Sequence, residues 1–169
     1  MKIELRKLKI FDAKDLMDSV NNKEVIPYLD SNRRYPINLD YTKKSIKKSL
    51  TDKNSYKRAI FVDGKFAGTI SLYNPNKNKK IFEIGYSVAR DYWNKGIATK
   101  AVKEICKFGF KKLKLKRIWA GTLSNNPSSS RVLVKAGFKQ EGLLRCSFYN
   151  NGKYYNETIY AKLKKWQPN

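Results

Sequence analysis

The sequence predicts a single α/β domain of about seven strands and four helices, and three observations carry that reading. Hydrophobic spacing switches repeatedly along the chain between a period of two and a period near 3.6. No Gly/Ser-rich linker or internal repeat divides the 169 residues. With 41% hydrophobic and 13% aromatic residues, the chain can bury one core but is short for two independent domains.

Each element has a local cause. Lys2 to Lys7 alternate, with Ile3 and Leu5 on one face, and predict a short first strand. Asp12 as N-cap, with Asp15 three residues on, opens a helix carrying Leu16, Met17 and Val20 that stops near Asn21-Asn22. Tyr28 to Asn38, carrying Arg33, Arg34 and Pro36, reads as a loop long enough to shape a substrate site; Asp40 then starts a helix through Ile46 and Leu50. Ala59-Ile60-Phe61-Val62 and Phe66 to Leu72 flank Asp63-Gly64, the pattern of a hairpin with a two-residue turn. Asn74-Pro75-Asn76 makes the next turn, and Ile81 to Val88 is a strand whose Gly85 marks a bulge. A helix follows from about Gly96, with Ala98, Ala101, Val102, Ile105, Phe108 and Phe110 at helical spacing through Lys112. Ile118 to Leu123 is a strand, Ser128 to Ala136 a short helix ended by Gly137, and Phe138 to Cys146 and Tyr154 to Leu163 are the last two strands. Phe108, Phe110 and Trp119 are expected in the core.

Charge narrows the function. Lys and Arg number 37 against 14 Asp and Glu, a net charge of +23 with a pI near 10.0. The excess is spread along the chain, so a folded protein with a basic surface is expected, and its field attracts nucleic acid, ribosomes, acidic proteins and phosphorylated cofactors. Runs such as Lys43-Lys44, Lys47-Lys48, Lys111-Lys112 and Lys116-Arg117 are singly ordinary solvated faces; summed, they suit nonspecific RNA contact or an acidic partner. Histidine is absent and the only cysteines are Cys106 and Cys146, which excludes a disulfide framework, zinc-ligand sets and any Ser-His or Cys-His catalytic pair. Cys106 is expected buried and inert, and Cys146 exposed without a base. The longest apolar run is far short of a membrane span and Met1 leads straight into patterned sequence, so a cytoplasmic protein making no membrane contact is expected.

Two segments carry chemistry. At Tyr92-Trp93-Asn94-Lys95-Gly96-Ile97-Ala98-Thr99 a helix N-terminus offers unpaired N–H groups and a positive dipole end, the means to hold a pyrophosphate. Read alone, a glycine such as Gly96 at a helix start is more often only a turn residue, and Asp91 and Thr99 are candidate caps. The second segment, Asn126-Pro127-Ser128-Ser129-Ser130-Arg131-Val132-Leu133-Val134-Lys135-Ala136-Gly137-Phe138, follows after one strand. Together they resemble the GNAT acetyltransferases. Trp-Asn-Lys-Gly-Ile-Ala-Thr, with Asn-x-x-Ser and Lys-x-Gly-Phe later, is most similar to the RimJ/RimL-type branch, and the element order agrees over nearly the whole chain.

That resemblance implies a GNAT fold with a mixed central sheet, acetyl-CoA as the acetyl donor, and no metal. It implies that backbone around Tyr86, Ser87 and Val88 hydrogen-bonds the pantetheine arm like an added strand, and that Trp93, Asn94, Lys95, Gly96, Ile97, Ala98 and Thr99 wrap the pyrophosphate. Asn126 corresponds to an asparagine at the pantetheine or an ordered water beside it, and Ser129 to a serine near the thioester sulfur. Where many members carry a tyrosine general acid this chain has Leu133, and Asn156 stands near a position at which the branch often has Asp.

Acetyl transfer needs an uncharged amine, a hydrogen-bond donor for the developing oxyanion and a proton for the leaving thiolate. Glu83, among Ile81, Phe82, Ile84 and Tyr86, is the candidate base, acting directly or through water with a pKa raised by partial burial; the alternative is a solvent-facing strand carboxylate. A backbone N–H near Tyr86 or Ser87 polarises the carbonyl, and Ser129 either passes a proton to sulfur or caps a helix, just as Asn126 is either ligand or N-cap. The expected acceptor is a protein N-terminal α-amine on an acidic or ribosomal partner, because its pKa of about 7.7–8.0 yields the neutral form more readily than the value of about 10.4 for lysine. Glu83, Asp91 and Glu157 converging on one cleft would instead favour a cationic small amine such as a polyamine or an antibiotic. A third reading is a non-catalytic GNAT-shaped module binding RNA or ribosomes. A monomer or homodimer is compatible with all of these.

Overall fold

The computed structural model describes residues 1–29, 35–74, 80–150 and 152–164. Part of the Tyr28 to Asn38 loop and the Asn74-Pro75-Asn76 turn beyond Asn74 lie outside the described residues. Seven strands form one sheet: β1 (Ile3–Lys7), β2 (Ser55–Val62), β3 (Lys65–Tyr73), β4 (Ile81–Val88), β5 (Arg117–Leu123), β6 (Lys139–Asn150) and β7 (Lys153–Leu163). Their order is β1-β2-β3-β4-β5-β7-β6. Four α-helices accompany them: α1 (Ala13–Val20), α2 (Leu39–Thr51), α3 (Ile97–Lys111) and α4 (Pro127–Lys135).

Every neighbouring pair is antiparallel except β4 and β5. Because α3 carries the chain back across the sheet between them, those two run parallel. They are joined by Ile81 to Arg117, Phe82 to Ile118 and Glu83 to Trp119, and then part. The helices cover both faces. Ile97, Ala101, Val102 and Ile105 of α3 and Leu133 of α4 pack on Ile70, Leu72, Phe82, Ile84 and Ile118. On the other face Ala13, Leu16 and Val20 of α1 meet Ile46 of α2, Leu8 and Ala59. Both helix pairs show the apolar stripe the sequence periodicity predicts.

Four local expectations are corrected. Asp12 does not cap α1: it ends a 3₁₀ turn, Ile10–Asp12, and its carboxylate accepts from both Arg6 guanidinium nitrogens at 2.9 and 2.6 Å and from the Lys9 N–H at 2.7 Å. A buried carboxylate is better satisfied by a charged fork plus one amide than by a single helix N–H. The second helix is capped by Asn38, whose Oδ1 accepts from Tyr41 N–H at 2.8 Å, and so begins one residue before Asp40. Gly85 makes no bulge, because pairing with β3 is unbroken from Gly68–Val88 to Tyr73–Glu83; register shifts lie instead at Ile60/Phe61 in the β2–β3 hairpin and at Gln140/Gly142 and Leu144/Phe148 in the β6–β7 pair. Gly85 marks instead the stretch where β4 has left β5. Trp119 is half-buried and outside both cores, whereas Phe108 and Phe110 pack against the larger one. Cys106 is buried and Cys146 exposed, as expected.

The Arg6–Asp12 pair ties the end of β1 to the start of α1. Burial disfavours the Asp12 carboxylate, but the Arg6 fork and the Lys9 N–H outweigh it and hold the pKa below the ordinary value. A lowered folded pKa contributes stability that is present above the unfolded value of about 3.9 and is lost as pH falls through the folded one. Asp12→Asn is therefore expected to lower the unfolding free energy by about 1–3 kcal/mol at pH 7. In urea unfolding curves the gap between variant and wild type should shrink as the pH falls beneath the ordinary carboxylate range, where the wild-type carboxylate also protonates.

Candidate active site

The divergence of β4 from β5 creates the site. Ala89 N–H donates to Ala67 O at 2.8 Å, so by antiparallel alternation Ser87 and Gly85 turn their backbone groups to β3, and Tyr86 and Val88 turn theirs away. With β5 gone after Glu83, those of Tyr86 and Val88 face a slot, and the Trp93 indole Nε1–H reaches in to donate to Val88 O at 2.7 Å. The Tyr86 N–H is therefore turned toward the slot, whereas the Ser87 N–H belongs to the sheet.

At one side of the slot stands the start of α3. Its N-cap is Gly96, left-handed at φ 72°, and no side chain caps it. Asp91 lies in the preceding 3₁₀ turn, Arg90–Tyr92, and Thr99 inside the first turn of α3, so neither occupies a capping position. Lys100 N–H is the first bonded back, to Gly96 O at 3.1 Å, which leaves the amides of Ile97, Ala98 and Thr99 at an uncapped helix end. A Cβ at Gly96 would meet no atom within 4 Å, so glycine is required by its backbone angle, and the space before it is open.

At the other side stands α4. Asn126 is its N-cap, Oδ1 accepting from Ser129 N–H at 3.2 Å. Ser129 is no cap: its Oγ lies 2.9 Å from the Tyr86 phenol oxygen, which also donates to Ser129 O at 3.2 Å.

Two cavities meet here. One, of about 490 Å³, is lined by Val88, Trp93, Asn94, Gly96, Ile97, Ala98 and Thr99 and by the first turns of α4. Lys95 is not in its wall; its ammonium lies 5.9 Å from the Tyr92 ring centroid. Arg131 and Lys135 do line it, which the sequence reading missed; their spacing of four on a predicted helix was the available signal. The second cavity, of about 440 Å³, opens on the α1–α2 side among Leu16, Val20, Tyr35, Tyr41, Tyr73 and Phe148, with Glu83 and Glu157. Tyr28, Leu29, Tyr86, Ser87, Asn126 and Ser129 border both.

In the second cavity the charge of one carboxylate acts on the other. Burial pushes the Glu83 pKa up, a hydrogen bond from Tyr73 on β3 partly offsets this, and the charge of Glu157 adds to the rise. Burial likewise raises Glu157. A Cβ on Gly121 would collide with the Glu157 carboxylate, so a glycine in β5 gives that group its place. Asp91 borders neither cavity. The arrangement thus offers anion-binding amides and a backbone edge on one side, two proton-accepting carboxylates on the other, and hydroxyls between.

Comparison with known proteins gives the same picture. Residues 2–139 match the acetyltransferase (GNAT) domain family. The "Putative ribosomal N-acetyltransferase YdaF" of Bacillus subtilis is 31% identical over 122 residues, 72% of this chain and 67% of that protein. The spermidine N(1)-acetyltransferase of Escherichia coli is 29% identical over 64% of this chain and 59% of its own length. A GNAT-family acetyltransferase structure from Bacillus anthracis superposes with a TM-score of 0.85 at 25% identity, covering 96% of this chain and 95% of the other. Alignments to the first curated relatives span 55% to 67% of those proteins' lengths. Among the described residues no helix is long and apolar enough to cross a membrane.

Glu157→Gln removes a charge that raises the Glu83 pKa. A carbon-detected NMR titration should then place Glu83 lower than in the wild type yet still above an exposed glutamate, because burial persists. An unchanged Glu83 midpoint would show that burial alone sets it.

Proposed function

The chain belongs to the acetyltransferase (GNAT) family, and from that premise we propose that it moves an acetyl group from acetyl-CoA to a primary amine, preferentially the α-amine of a protein N-terminus on an acidic or ribosomal partner. The observation that carries this reading is the meeting of two cavities where β4 leaves β5. Acetyl-CoA supplies an acyl group activated as a thioester, and the residues present fit it. The uncapped start of α3, from Asn94 to Thr99, suits the pyrophosphate, with Arg131 and Lys135 adding positive charge. The Tyr86 backbone at the slot suits the amide-bearing arm, and Asn126, whose Oδ1 is engaged as a cap, still has its Nδ2 group to offer.

On the acceptor side Glu83 removes the proton from an entering ammonium. A carboxylate with a raised pKa is a stronger base than an exposed one and is better matched to neutral pH. The Tyr86 N–H faces the slot and donates to the carbonyl oxygen, and the Ser129 hydroxyl provides the proton that the departing sulfur needs.

The surface field of a +23 protein favours a polyanionic partner, which supports the N-terminal acceptor along with the likeness to YdaF. A second reading, a polyamine acceptor, is favoured by Glu83 and Glu157 in a tyrosine-rich pocket and by the likeness to the spermidine enzyme. Thiol release from acetyl-CoA with acidic peptides and with spermidine separates them. The peptides are expected to show the higher kcat/KM at low salt, with the gap narrowing as salt is added. Faster turnover of spermidine would replace the acceptor and leave amine acetylation standing.

Glu83→Gln should reduce kcat by about 10²- to 10⁴-fold, the usual span of general-base catalysis, and move the acidic limb of the rate profile. Calorimetry should find acetyl-CoA affinity nearly intact, since Glu83 does not line the cofactor-side cavity. A wild-type pH–rate curve in the variant would assign deprotonation to bulk water.

A further inference from the structure

We propose that the Tyr86 side chain is the positioning residue for departure of the thiol, orienting the Ser129 hydroxyl and replacing the proton that it gives up. This rests on the acetyl-transfer reading above. Tyr86 and Ser129 are 43 residues apart in sequence, yet the phenol crosses from β4 to the first turn of α4 and meets Oγ at 2.9 Å. Both residues border the two cavities at their junction.

A serine hydroxyl by itself rotates freely and is a weaker acid than a phenol. Either oxygen can donate across the 2.9 Å contact, and the phenol proton also reaches Ser129 O at 3.2 Å; in the arrangement the relay uses, the phenol O–H turns to Oγ and the serine O–H is left to point elsewhere, with the slot adjacent. Burial, partly offset by the Ser129 contact, pushes the Tyr86 pKa up to about 12, so the phenol stays protonated and acts as a donor throughout the neutral range. Helix α4 carries no tyrosine of its own, and Leu133, one turn beyond Ser129, is fully buried in the core. A strand therefore delivers to this helix turn the phenol that the helix itself lacks.

The step balances. The bond from amine nitrogen to acyl carbon forms, and the carbon–sulfur bond breaks with its electron pair going to sulfur. Sulfur takes the Ser129 proton, Ser129 takes the phenol proton, and Tyr86 regains one from water after the thiol leaves; of the two protons that an entering ammonium loses, Glu83 takes the first and passes it to solvent, then takes the second as the amide forms.

The test uses the full chain carrying Tyr86→Phe, Ser129→Ala or both, with thiol release followed against pH and acetyl-CoA affinity measured by calorimetry. Each single variant should lower kcat by about 10- to 100-fold with acetyl-CoA Kd within about twofold, and the double variant should be no slower than Ser129→Ala alone. Placing 3-fluorotyrosine at position 86, a change small enough to leave folding intact, should shift the basic limb of the rate profile to lower pH. Wild-type kcat in Tyr86→Phe, independent effects that multiply in the double variant, or a basic limb unmoved by fluorination would each overturn the relay. Absence of thiol release from the wild type with every amine would overturn the transfer reading itself, and the relay with it.

Discussion

Three residue pairs between β4 and β5 govern the whole arrangement. A parallel pair forms only because α3 returns the chain across the sheet, and that return fixes the helix N-terminus beside the same strand end at which pairing stops. Had β5 followed β4 to Val88, the Tyr86 backbone would be consumed by the ladder and both cavities would be filled. Had the strands never met, Glu83 would not be held opposite Trp119 at the base of the opening. The two faces of one strand then divide the labour. Odd-numbered Glu83 looks to the α1–α2 side and even-numbered Tyr86 to α4, so the base and the relay proposed above lie on opposite faces of a single strand.

The electrostatics work on two scales. At long range the molecule is a polycation, and what it meets first is chosen by that field. At the slot stand two glutamates that burial makes reluctant to ionise, Glu83 also through the charge of Glu157, and whatever charge they carry is opposite in sign to the surface. Gly121 is the covalent cause of that second scale, since a side chain there would evict Glu157 from its place over β5.

Much of this was legible in the sequence, and the reasons for the rest are specific. The seven strands and four helices follow from periodicity and turn residues, and the Asp63-Gly64 hairpin turn lies where its signature places it. Trp93, Asn94 and Gly96 to Thr99 line a cavity, and the glycine before an apolar helix that marks them is a local feature that sequence records; Lys95, inside the same run, is left out because its side chain turns to Tyr92. Asp12 failed as a cap because its partner, Arg6, comes from the preceding strand, and propensity counts only near neighbours. The backbone direction of Ser87 depends on which pairs of an antiparallel ladder carry hydrogen bonds, a register property shared by two strands. The Tyr86–Ser129 contact spans 43 residues and could not be found from spacing at all.

The same short seam has a consequence for persistence. The sheet consists of one half from β1 to β4 and another from β5 to β7, joined edge to edge by three pairs. A ligand lying in the slot bridges the halves and binds only the folded chain, so it adds RT ln(1 + [L]/Kd), about 2.7 kcal/mol at a hundredfold excess over Kd. For a chain whose marginal stability is itself of order 5–15 kcal/mol, that share is large. Resistance to proteolysis would then follow the supply of the ligand, and scarcity would shorten the protein's lifetime as well as slow its turnover.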